Sequence, residues 1–526
     1  MDWKAGPIIL SGLFMINRDG YCISLWQDSA QPYRTVNVPE TGRVYDVIIV
    51  GGGITGVSTA LLLQEAGKKC LLLEAANLCF GTTGGTTAHL NTLLDTPYNV
   101  IKKNFNTDTA RQVAKATTEA IQLIKHHISK YKIDCEFEEA DAYLFAQDEK
   151  QEKELSEIAD ASMEAGLDLK YTSEMAVPIP FTKAIRVKGQ ARFNPVKYVF
   201  GLAQAFERAG GIILQECRVS GTDSNELVSV ETEKGTFKAT DLVYATHVPP
   251  GVNLLHLRCA PYRSYAMAVT LQEQEYPADL YYDMADPYHY YRTQKTGGRN
   301  YLIAGGKDHK TGHHENAQYC FTELEATVRK HFQVKEINYQ WSSQYFEPAD
   351  GLPYIGHLPG SPEHIYVASG FGGNGMVYSS VAAVTLKQLI TNQKAAYEEV
   401  FDPNRIKPVA GFTNFVRHNA GVAGQLLQRL FSRRELEQLA ELAPGEGKVV
   451  VLEKERIALY KDELGGLHAI DPVCTHLGCE VRWNNAERSW DCPCHGARYH
   501  FNGQVITAPA DRPLSAVSNP APQSIP

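Results

Sequence analysis

Two short segments near the carboxyl end combine side chains that bind metals. Residues 474–479 read Cys-Thr-His-Leu-Gly-Cys, and residues 492–497 read Cys-Pro-Cys-His-Gly-Ala. Thiolates and imidazoles at such close spacing suit tetrahedral zinc, which is one candidate. One C-x-H pair followed by one C-x-x-H pair fits an iron–sulfur cluster better, because two histidines can replace two cysteines on one iron of a [2Fe–2S] centre. The spacing therefore predicts a redox-active metal centre, with zinc as the alternative.

A glycine-rich loop near residue 50 could bind the phosphates of a nucleotide cofactor. The apolar run 45–50 predicts a buried strand and leads directly into Gly-Gly-Gly-Ile-Thr-Gly. Gly51, Gly53 and Gly56 complete a G-x-G-x-x-G pattern, which allows a tight turn, close approach of a pyrophosphate and close helix packing. Glu74 follows a second apolar run, where a carboxylate can accept hydrogen bonds from a ribose. Together these features predict a dinucleotide site.

The loop after Glu74 helps to decide between the two common dinucleotides. Residues 81–90 are rich in glycine and threonine, so they offer backbone N–H groups and hydroxyls to a second phosphate or to a flavin ring. Such a loop so soon after the ribose carboxylate favours FAD over NAD. The alternative is a flexible loop without a ligand.

The elements that must position these sites can be outlined from the hydrophobic pattern. From residue 45 onward, apolar runs alternate with helical stretches, which indicates an α/β core. Tyrosine-rich alternating segments within residues 256–305 indicate strands of a mixed or antiparallel sheet. Residues 376–395 predict a helix after a glycine cluster. Ala-Pro-Gly-Glu-Gly at 443–447 marks a boundary, and the short β-like runs beyond it indicate a small all-β module.

The composition excludes some partners. The chain has 526 residues, with 51 Lys+Arg against 60 Asp+Glu and a formal net charge of −9, which argues against a nucleic-acid partner. The sequence contains no apolar run long enough for a transmembrane segment. The amino-terminal stretch has neither a basic region nor a small-residue cleavage site, so we expect a cytoplasmic protein.

Residues 45–395 resemble the glycine oxidase/D-amino-acid oxidase superfamily of FAD enzymes. The resemblance rests on the glycine loop, Glu74, the threonine-rich loop and the segments 304–306, 350–356 and 370–376. It implies an α/β (α+β) fold, with a Rossmann-like FAD-binding domain interleaved with an antiparallel substrate sheet. Residues 372–376 would lie at a helix N-terminus beside the flavin pyrimidine. The FAD contacts implied in this way are Gly51, Gly53, Ile54, Thr55, Gly56, Glu74, Thr82, Thr83, Thr87, His89, Val219, Thr246, Gly372, Gly373, Asn374, Gly375 and Met376.

The substrate side departs from the superfamily pattern. In amino-acid-oxidising members, an arginine four residues after a tryptophan binds the substrate carboxylate, and the matching position after Trp341 is Tyr345. A bidentate clamp is therefore missing there, although Arg292 or Arg263 could replace it or be purely structural. We expect a substrate other than a simple amino acid. Position alone nominates His309, Tyr345, Arg292 and Tyr265 as catalytic candidates.

His89 allows two interpretations. Residues 85–89 read Gly-Thr-Thr-Ala-His and resemble the region where dimethylglycine and sarcosine dehydrogenases tether FAD through a histidine. His89 could therefore carry a covalent flavin. We favour a histidine that contacts the cofactor without a covalent bond, because hydrogen bonding is the commoner role of histidine beside a cofactor.

The carboxyl-terminal module resembles Rieske [2Fe–2S] domains. The resemblance implies that Cys474 and Cys492 bind one iron and that His476 and His495 bind the other. The two remaining cysteines match the pair that forms a disulfide between the cluster loops of respiratory-type Rieske proteins, and these are Cys479 and Cys494. We expect both histidines to be exposed and to serve as the exit for electrons.

Two further positions bear on the reduction potential of the cluster. Tyr499 matches a tyrosine that donates a hydrogen bond to a ligand sulfur, whereas Ala497 stands where high-potential Rieske proteins carry serine. Since one donor is absent, we expect a potential below the top of the Rieske range of about −150 to +300 mV.

The implied domains are an amino-terminal arm (1–43), an FAD-dependent oxidoreductase domain (44–395), a helical connector (396–443) and the Rieske domain (444–526). Within the oxidoreductase domain, the FAD-binding part covers about 44–95, 185–260 and 340–395, and the substrate sheet covers about 130–185 and 260–340.

This combination resembles a bacterial family of FAD-dependent oxidoreductases with C-terminal Rieske centres. It implies a dehydrogenase that oxidises a CH–NH or CH–NH2 bond of an amine or amino-acid-like substrate by hydride transfer, and that passes electrons singly through the cluster to a redox protein or quinone. Two alternatives stay open. One is an O2-using amine oxidase with a structural or regulatory Rieske module, and the other is an electron-transfer relay without its own organic substrate.

Overall fold

The computed structural model describes residues 16, 18–40, 42–273, 275–314, 316–405, 442–452, 455–464 and 466–517. Over these residues the helices are α1 (Leu25–Asp28), α2 (Ile54–Glu65), α3 (Thr82–Gly85), α4 (Tyr98–Asn104), α5 (Thr107–Tyr131), α6 (Glu149–Glu164), α7 (Pro195–Arg208), α8 (Leu255–Arg258), α9 (Ala317–His331), α10 (Gly375–Ile390) and α11 (Glu398–Phe401). The strands are β1 (Val44–Val50), β2 (Cys70–Leu73), β3 (His89–Leu90), β4 (Glu138–Ala146), β5 (Leu169–Thr172), β6 (Lys183–Arg192), β7 (Ile212–Leu214), β8 (Val219–Ser224), β9 (Val228–Thr232), β10 (Gly235–Tyr244), β11 (Cys259–Leu271), β12 (Leu280–Asp283), β13 (His289–Thr296), β14 (Arg299–Lys310), β15 (Val334–Pro348), β16 (Tyr354–His357), β17 (Ile365–Ser369), β18 (Gly447–Leu452), β19 (Glu455–Lys461), β20 (Leu467–Ile470), β21 (Arg482–Asn484), β22 (Ser489–Asp491), β23 (Arg498–His500) and β24 (Val505–Thr507).

The glycine loop leaves the centre of a largely parallel sheet. The strand order is β16-β17-β10-β1-β2-β7, and β8 and β9 extend it beside β10. β1 is parallel to both β10 and β2, which suits its nearly continuous apolar run because parallel strands are covered on both faces. α2 is apolar around most of its circumference and packs against α7 and α10. The loop therefore lies where the carboxyl ends of β1, β2 and β10 meet, the usual ligand side of such a sheet.

The second sheet forms the other half of the oxidoreductase domain. Its order is β15-β11-β14-β13-β12-β4-β6-β3, with β5 paired to β6. The pairs are antiparallel except for β12 with β4, which run parallel. The two sheets confirm the expected α/β fold with an interleaved, mainly antiparallel substrate sheet.

The carboxyl-terminal module is built entirely from strands over its described residues. β18-β19-β20 form one antiparallel sheet and β21-β22-β23-β24 form another. Trp490, Val481 and Tyr499 are wholly buried in its core together with the cysteines. The loop before β21 carries residues 474–479, and the loop between β22 and β23 carries residues 492–497, so the antiparallel pairing brings both metal-binding segments to one end of the module.

The described part of the amino-terminal arm is an integral part of the fold. Ser24 caps α1, and Trp26 is fully buried. The Trp26 indole N–H donates to the carbonyl of Thr86 at 2.6 Å, so the arm holds the threonine-rich loop in place. The expected helical connector, 396–443, begins with α11, and its residues 406–441 lie outside the described residues.

Six buried charged side chains join the arm, the substrate sheet and the carboxyl-terminal module. Glu487 lies 3.8 Å from Arg263 on β11 and 3.9 Å from Arg18 of the arm. Asp491 lies 3.7 Å from Arg263 and 3.1 Å from Arg498. Asp19 completes this set, which we name the interface charge cluster, at 3.3 Å from Arg498. Three cations and three anions balance each other, so the module is fastened to the sheet by charges that water does not reach.

Among the described residues, no helix combines the length and the apolar character needed to cross a bilayer.

Candidate functional site

One cavity of about 310 Å³ runs between the glycine loop and the start of α10. It receives lining residues from both sheets, from the arm at Asp19 and from residues 506–511 of the carboxyl-terminal module. Nearly all of the expected FAD contacts line it, namely Gly51, Gly53, Ile54, Thr55, Glu74, Thr82, Thr83, Thr87, His89, Val219, Thr246, Gly372, Gly373, Asn374, Gly375 and Met376. The remaining expected contact, Gly56, lies behind the wall.

The shape of the glycine loop explains this arrangement. A Cβ at Gly56 would lie 1.9 Å from the carbonyl oxygen of Gly51, so this glycine allows close packing of α2 and does not line the cavity. Gly51 has a φ of +113°, and a Cβ there would approach the carbonyl oxygen of Ala245 to 2.5 Å. A Cβ at Gly53 would reach within 2.9 Å of the Thr83 hydroxyl and narrow the cavity. The bare backbone therefore fits a pyrophosphate.

The Glu74 carboxylate is hydrogen-bonded to the glycine loop, and both are expected to bind the same cofactor. Its carboxylate accepts the backbone N–H of Gly52 at 2.6 Å and that of Ala76 at 2.8 Å. Burial raises its pKa, while these N–H groups oppose that change. Glu74 also lines the cavity, so its placement fits the ribose role.

The backbone just before α10 is hydrogen-bonded to the side chain of Asp95. Asp95 accepts the backbone N–H of Gly373 at 2.7 Å, and the Asn374 side-chain oxygen accepts the N–H of Asp95 at 2.8 Å. Burial raises the pKa of Asp95. Sequence reasoning missed this residue because it lies almost 280 positions away from the loop that it binds.

The four catalytic candidates occupy different places. Tyr345 lines the cavity, and its hydroxyl donates to Asp308 at 2.9 Å. His309 and Tyr265 do not line it. The His309 Nδ1–H donates to the carbonyl of Lys310 at 3.0 Å, so its Nε2 accepts the Tyr265 hydroxyl at 2.9 Å. Because side chains alternate along β14, Asp308 faces the cavity and its neighbour His309 faces away.

Neither arginine offered as a carboxylate clamp lines the cavity. Arg292 is fully buried, where it donates to the carbonyl of Ala88 at 2.5 Å and to the side chain of Gln294. Arg263 belongs to the interface charge cluster and donates to the Ser342 hydroxyl at 2.6 Å. Both arginines thus hold backbone and neighbouring elements in place.

His89 lines the cavity beside a tyrosine. Its Nδ1 lies 2.5 Å from the Tyr282 hydroxyl, whereas its Nε2 is buried with no hydrogen-bond partner. Burial, with Arg292 nearby, lowers its pKa well below the ordinary value, so the ring is neutral. A neutral imidazole with one nitrogen free suits either a contact or a covalent bond to a cofactor, and the choice between them stays a prediction.

The two Cys/His loops, residues 474–479 and 492–497, lie side by side at one end of the module, and we name this pair of loops the metal nest. A disulfide joins Cys479 to Cys494, with an S–S distance of 2.07 Å. Cys479, Cys492 and Cys494 lie close enough to share a metal, but two of these sulfurs are already used by the disulfide. Cys474 and Cys492 remain as free, buried thiols.

The two expected histidine ligands lack hydrogen-bond partners, and the two expected cysteine ligands are reduced thiols. Both ring nitrogens of His476 and of His495 are buried without a hydrogen bond. The neighbouring Cys492 thiol and the Tyr499 hydroxyl lower the pKa of Cys474 to about 7, against the effect of burial. Two thiols, one of them easily ionised, and two unpartnered imidazoles fit a His2Cys2 [2Fe–2S] cluster.

The expectation that both histidines are exposed is wrong for His495, and His476 is half-buried. His495 is only 3% exposed, and the rings of His476 and His495 lie 5.0 Å apart beneath the oxidoreductase domain. His256 of α8 packs edge-on against His476 with ring centroids 4.7 Å apart. Burial lowers the pKa of His256 to about 3, so this covering ring is neutral. The histidine side of the metal nest thus faces the FAD cavity's own domain.

A hydrogen-bonded connection leads from the cavity wall to the metal nest. Gln344 of β15 lines the cavity, and its backbone carbonyl accepts the Thr82 hydroxyl at 2.8 Å. Its side-chain amide donates to the carbonyl of Gly496 at 2.9 Å. The Gly496 N–H donates in turn to the carbonyl of Cys492 at 3.0 Å. Nothing in the local sequence marks Gln344, since the contact spans 152 positions.

Replacing Tyr499 with phenylalanine should lower the reduction potential of the cluster. The Tyr499 hydroxyl lies 3.1 Å from the Cys474 sulfur and stabilises the more negative reduced state. A hydrogen bond worth about 1 kcal/mol corresponds to about 40–60 mV for one electron. A redox titration followed by EPR measures the shift. Tyr460→Phe removes a hydroxyl elsewhere in the module and should leave the potential unchanged, so equal shifts in both variants would disprove the role.

Comparisons with known proteins agree with this geometry. Residues 46–389 match the family model described as FAD dependent oxidoreductase, and residues 433–518 match the Rieske [2Fe-2S] domain. YhfW of Bacillus subtilis (strain 168), whose name marks it as a Rieske 2Fe-2S iron-sulfur protein, is 33% identical over 475 residues, covering 90% of this chain and 93% of that protein. Gamma-glutamylputrescine oxidoreductase of Escherichia coli (strain K12) is 23% identical over 390 residues, 71% of this chain and 90% of that one.

The solved structures that match share the fold of the oxidoreductase domain. Glycine oxidase from Geobacillus kaustophilus superposes with a TM-score of 0.58 at 18% identity, over 69% of this chain and 99% of that one. Both cofactors follow from the two family matches and from the fit of the residues described above. The chain therefore belongs to the FAD-dependent oxidoreductase family and carries a C-terminal Rieske [2Fe–2S] domain.

Proposed function

We propose that this oxidoreductase is a dehydrogenase that oxidises a C–N bond of an amine or amino-acid-like substrate and delivers the electrons singly, through its own Rieske domain, to a redox protein or quinone. FAD supplies acceptance of a hydride, a two-electron unit, and a Rieske cluster carries one electron at a time. The single observation that carries the proposal is the packing of the metal nest directly behind the wall of the FAD cavity, through Gln344 and Gly496.

The chain's own residues support substrate oxidation at the cavity. The carboxyl-terminal module contributes Ile506, Thr507, Ala508, Ala510 and Asp511 to the wall of the cavity, so the two domains enclose it together. The Thr82–Gln344 hydrogen bond joins the threonine-rich loop to β15. The same strand therefore lies next to the expected cofactor on one side and next to the Rieske domain on the other. The similarity to gamma-glutamylputrescine oxidoreductase, which is named for oxidation of an amine, supports the substrate class.

The test is anaerobic mixing of the holoenzyme with a panel of N-methylated amines and amino acids, followed by EPR. We expect a reduced Rieske signal with at least one compound, together with bleaching of the flavin absorbance. Peroxide formation under air at the rate of substrate oxidation would instead identify an oxidase. Reduction of the flavin by a reduced redox protein, and by no amine, would identify a relay.

Replacing Gln344 with leucine should slow reduction of the cluster without slowing reduction of the flavin. The leucine keeps the bulk of the side chain but removes its hydrogen bonds with Gly496 and Thr311. If losing the Gly496 bond raises the barrier to electron transfer by about 1 to 1.4 kcal/mol, cluster reduction becomes about 5- to 10-fold slower. Stopped-flow absorbance resolves the two phases after an amine is added. Gln340→Leu, on the same strand, is the matched control. Equal cluster-reduction rates in both variants and the parent would rule out the connection.

A further inference from the structure

Apart from the expected flavin contacts, the side chains that line the cavity include a group of acids and phenols. They are two carboxylates and four phenols, from Asp95, Asp308, Tyr282, Tyr288, Tyr290 and Tyr345. Among the described residues, Arg218 is the one arginine or lysine that lines the cavity. Arg218 interacts with Glu74, so it lies at the ribose end. Among the described lining residues, no lysine or arginine therefore accompanies Asp95 and Asp308 at this part of the cavity.

The two carboxylates are not equivalent. Asp95 is engaged by the Gly373 N–H at 2.7 Å and lies 3.4 Å from the Tyr288 hydroxyl. Asp308 accepts one hydrogen bond, from Tyr345 at 2.9 Å, through its Oδ2. Its Oδ1 is buried and has no partner. An ionised carboxylate with an unsatisfied buried oxygen is costly unless a ligand completes it.

The electrostatics of Asp308 agree with a missing cationic partner. Burial, together with the nearby charge of Asp95, raises its pKa to about 7, while the neighbouring Ser264 and Tyr345 hydroxyls and the charge of His289 oppose that rise. A ligand cation at Oδ1 would compensate the burial and favour the ionised form. A ligand carboxylate at the same place would add a third negative charge to the wall.

We propose that the substrate is a cationic amine without an α-carboxylate, and that Asp308 binds its ammonium group and accepts its proton. This inference rests on the proposed function and names the substrate class of the same cavity. In the step, an N–H bond of the ammonium breaks and an O–H bond forms on Asp308 Oδ1. The products are a neutral amine and a neutral carboxyl group. FAD, when bound, would take up the hydride from the carbon beside this neutral nitrogen, and the nitrogen lone pair would stabilise the resulting iminium ion.

Tyr345 is the positioning residue of this arrangement. Its hydroxyl holds Oδ2, which leaves Oδ1 for the ammonium. With a tyrosine and an aspartate side by side, this wall presents a carboxylate and no guanidinium to the ligand, which suits a cation better than an anion.

Binding of two inert ions to the FAD-loaded, cluster-loaded holoenzyme tests the charge preference directly. Tert-butylammonium has no hydrogen on the carbon that bears nitrogen, so it binds without giving up a hydride. Pivalate carries the same tert-butyl group on a negatively charged carboxylate. We expect tert-butylammonium to perturb the flavin absorbance with saturation, more tightly as the pH rises through about 7, and pivalate to bind at least about tenfold more weakly. Equal or tighter binding of pivalate would overturn the proposal.

Two variants assign that preference to Asp308. Asp308→Asn should weaken binding of tert-butylammonium by about 10- to 100-fold and remove its pH dependence, because a charged hydrogen bond is lost. Asp160→Asn removes an exposed carboxylate on α6 and should bind like the parent. Flavin content and the EPR signal of the cluster show whether the Asp308 variant is folded. If that variant does not fold, the two inert ions on the parent enzyme still decide the question.

Matched substrates separate this inference from the proposed function. N-methylbutylamine and N-methylnorvaline differ only by the α-carboxylate, and further pairs of this kind extend the panel. Faster flavin reduction by the amine of a pair, with the advantage lost in Asp308→Asn, would support the inference. Faster reduction by the amino acid would overturn it while the proposed function stands. Reduction by neither member of any pair, in protein that dithionite reduces, would instead count against the proposed function.

Discussion

Replacing Cys474 with serine is expected to stop electron delivery while leaving oxidation of the substrate intact. Cys474 is a buried free thiol, with Tyr499 beside it and no disulfide to maintain. Its loss should remove the reduced Rieske EPR signal and lower turnover with a quinone analogue by at least about 100-fold, since a ligand matters more than the surrounding groups whose loss already costs 10- to 100-fold. Anaerobic bleaching of the flavin by the substrate should keep its rate, because the cavity residues are unchanged.

The control for this experiment is Cys22→Ser. Cys22 is a half-buried free thiol of the arm and belongs to neither Cys/His loop, so this variant should keep both the EPR signal and the turnover. Full turnover in the Cys474 variant without a cluster, accompanied by peroxide under air, would contradict the proposed route and favour the O2-using oxidase.

Replacing Glu487 with glutamine is expected to loosen the Rieske domain from the oxidoreductase domain. The Glu487 side chain is completely buried between Arg263 and Arg18, and it accepts hydrogen bonds from the Ser342 and Tyr21 N–H groups at 3.0 and 2.8 Å. Removing one charge leaves the arginines uncompensated, which costs about 3–5 kcal/mol in buried pairs. With a urea m-value of about 1–3 kcal/mol/M, the transition followed by cluster absorbance should move to lower urea by at least about 1 M.

Glu463→Gln provides the matched comparison. Glu463 forms an exposed ion pair with Arg488 at 2.7 Å, and its side chain is 58% exposed. Surface pairs contribute about 0–1 kcal/mol, so this variant should unfold at nearly the parent's urea concentration. Loss of stability in Glu487→Gln should also slow cluster reduction, because the contact between Gln344 and Gly496 lies at the same interface. Equal transitions for the two variants would show that the interface charge cluster does not hold the module.

The local motifs could be interpreted from the sequence because the residues of each motif are close together in the chain. The G-x-G-x-x-G loop predicted a strand, a turn and a helix, and the structure has β1, the loop and α2 in that order. The two Cys/His loops likewise bring their ligands together through a tight turn and one antiparallel pairing, and the family comparisons confirm the Rieske domain. The residue-level FAD contacts and metal ligands fit the structure and stay predictions.

The substrate end was much less accessible from the sequence. The sequence points to His309, whereas Asp308 is the residue that lines the cavity. A strand's face cannot be assigned without knowing which side of the sheet faces the cofactor. The sequence shows that Arg292 and Arg263 are charged and could therefore bind a substrate carboxylate. It does not show their actual hydrogen-bond partners, which come from distant segments.

The sequence alone thus specified which cofactors the protein binds, because phosphate loops and metal loops are short segments whose chemistry depends on residue type and spacing. The arrangement of the two centres depended on the folded chain. Gln344, Asp308 and Glu487 are ordinary residues until β11, β14 and β15 pair and the Rieske domain packs onto them. That packing excludes water, buries the charged side chains and turns the cluster histidines toward the cofactor domain. It depends on contacts between residues that lie more than a hundred positions apart in the sequence.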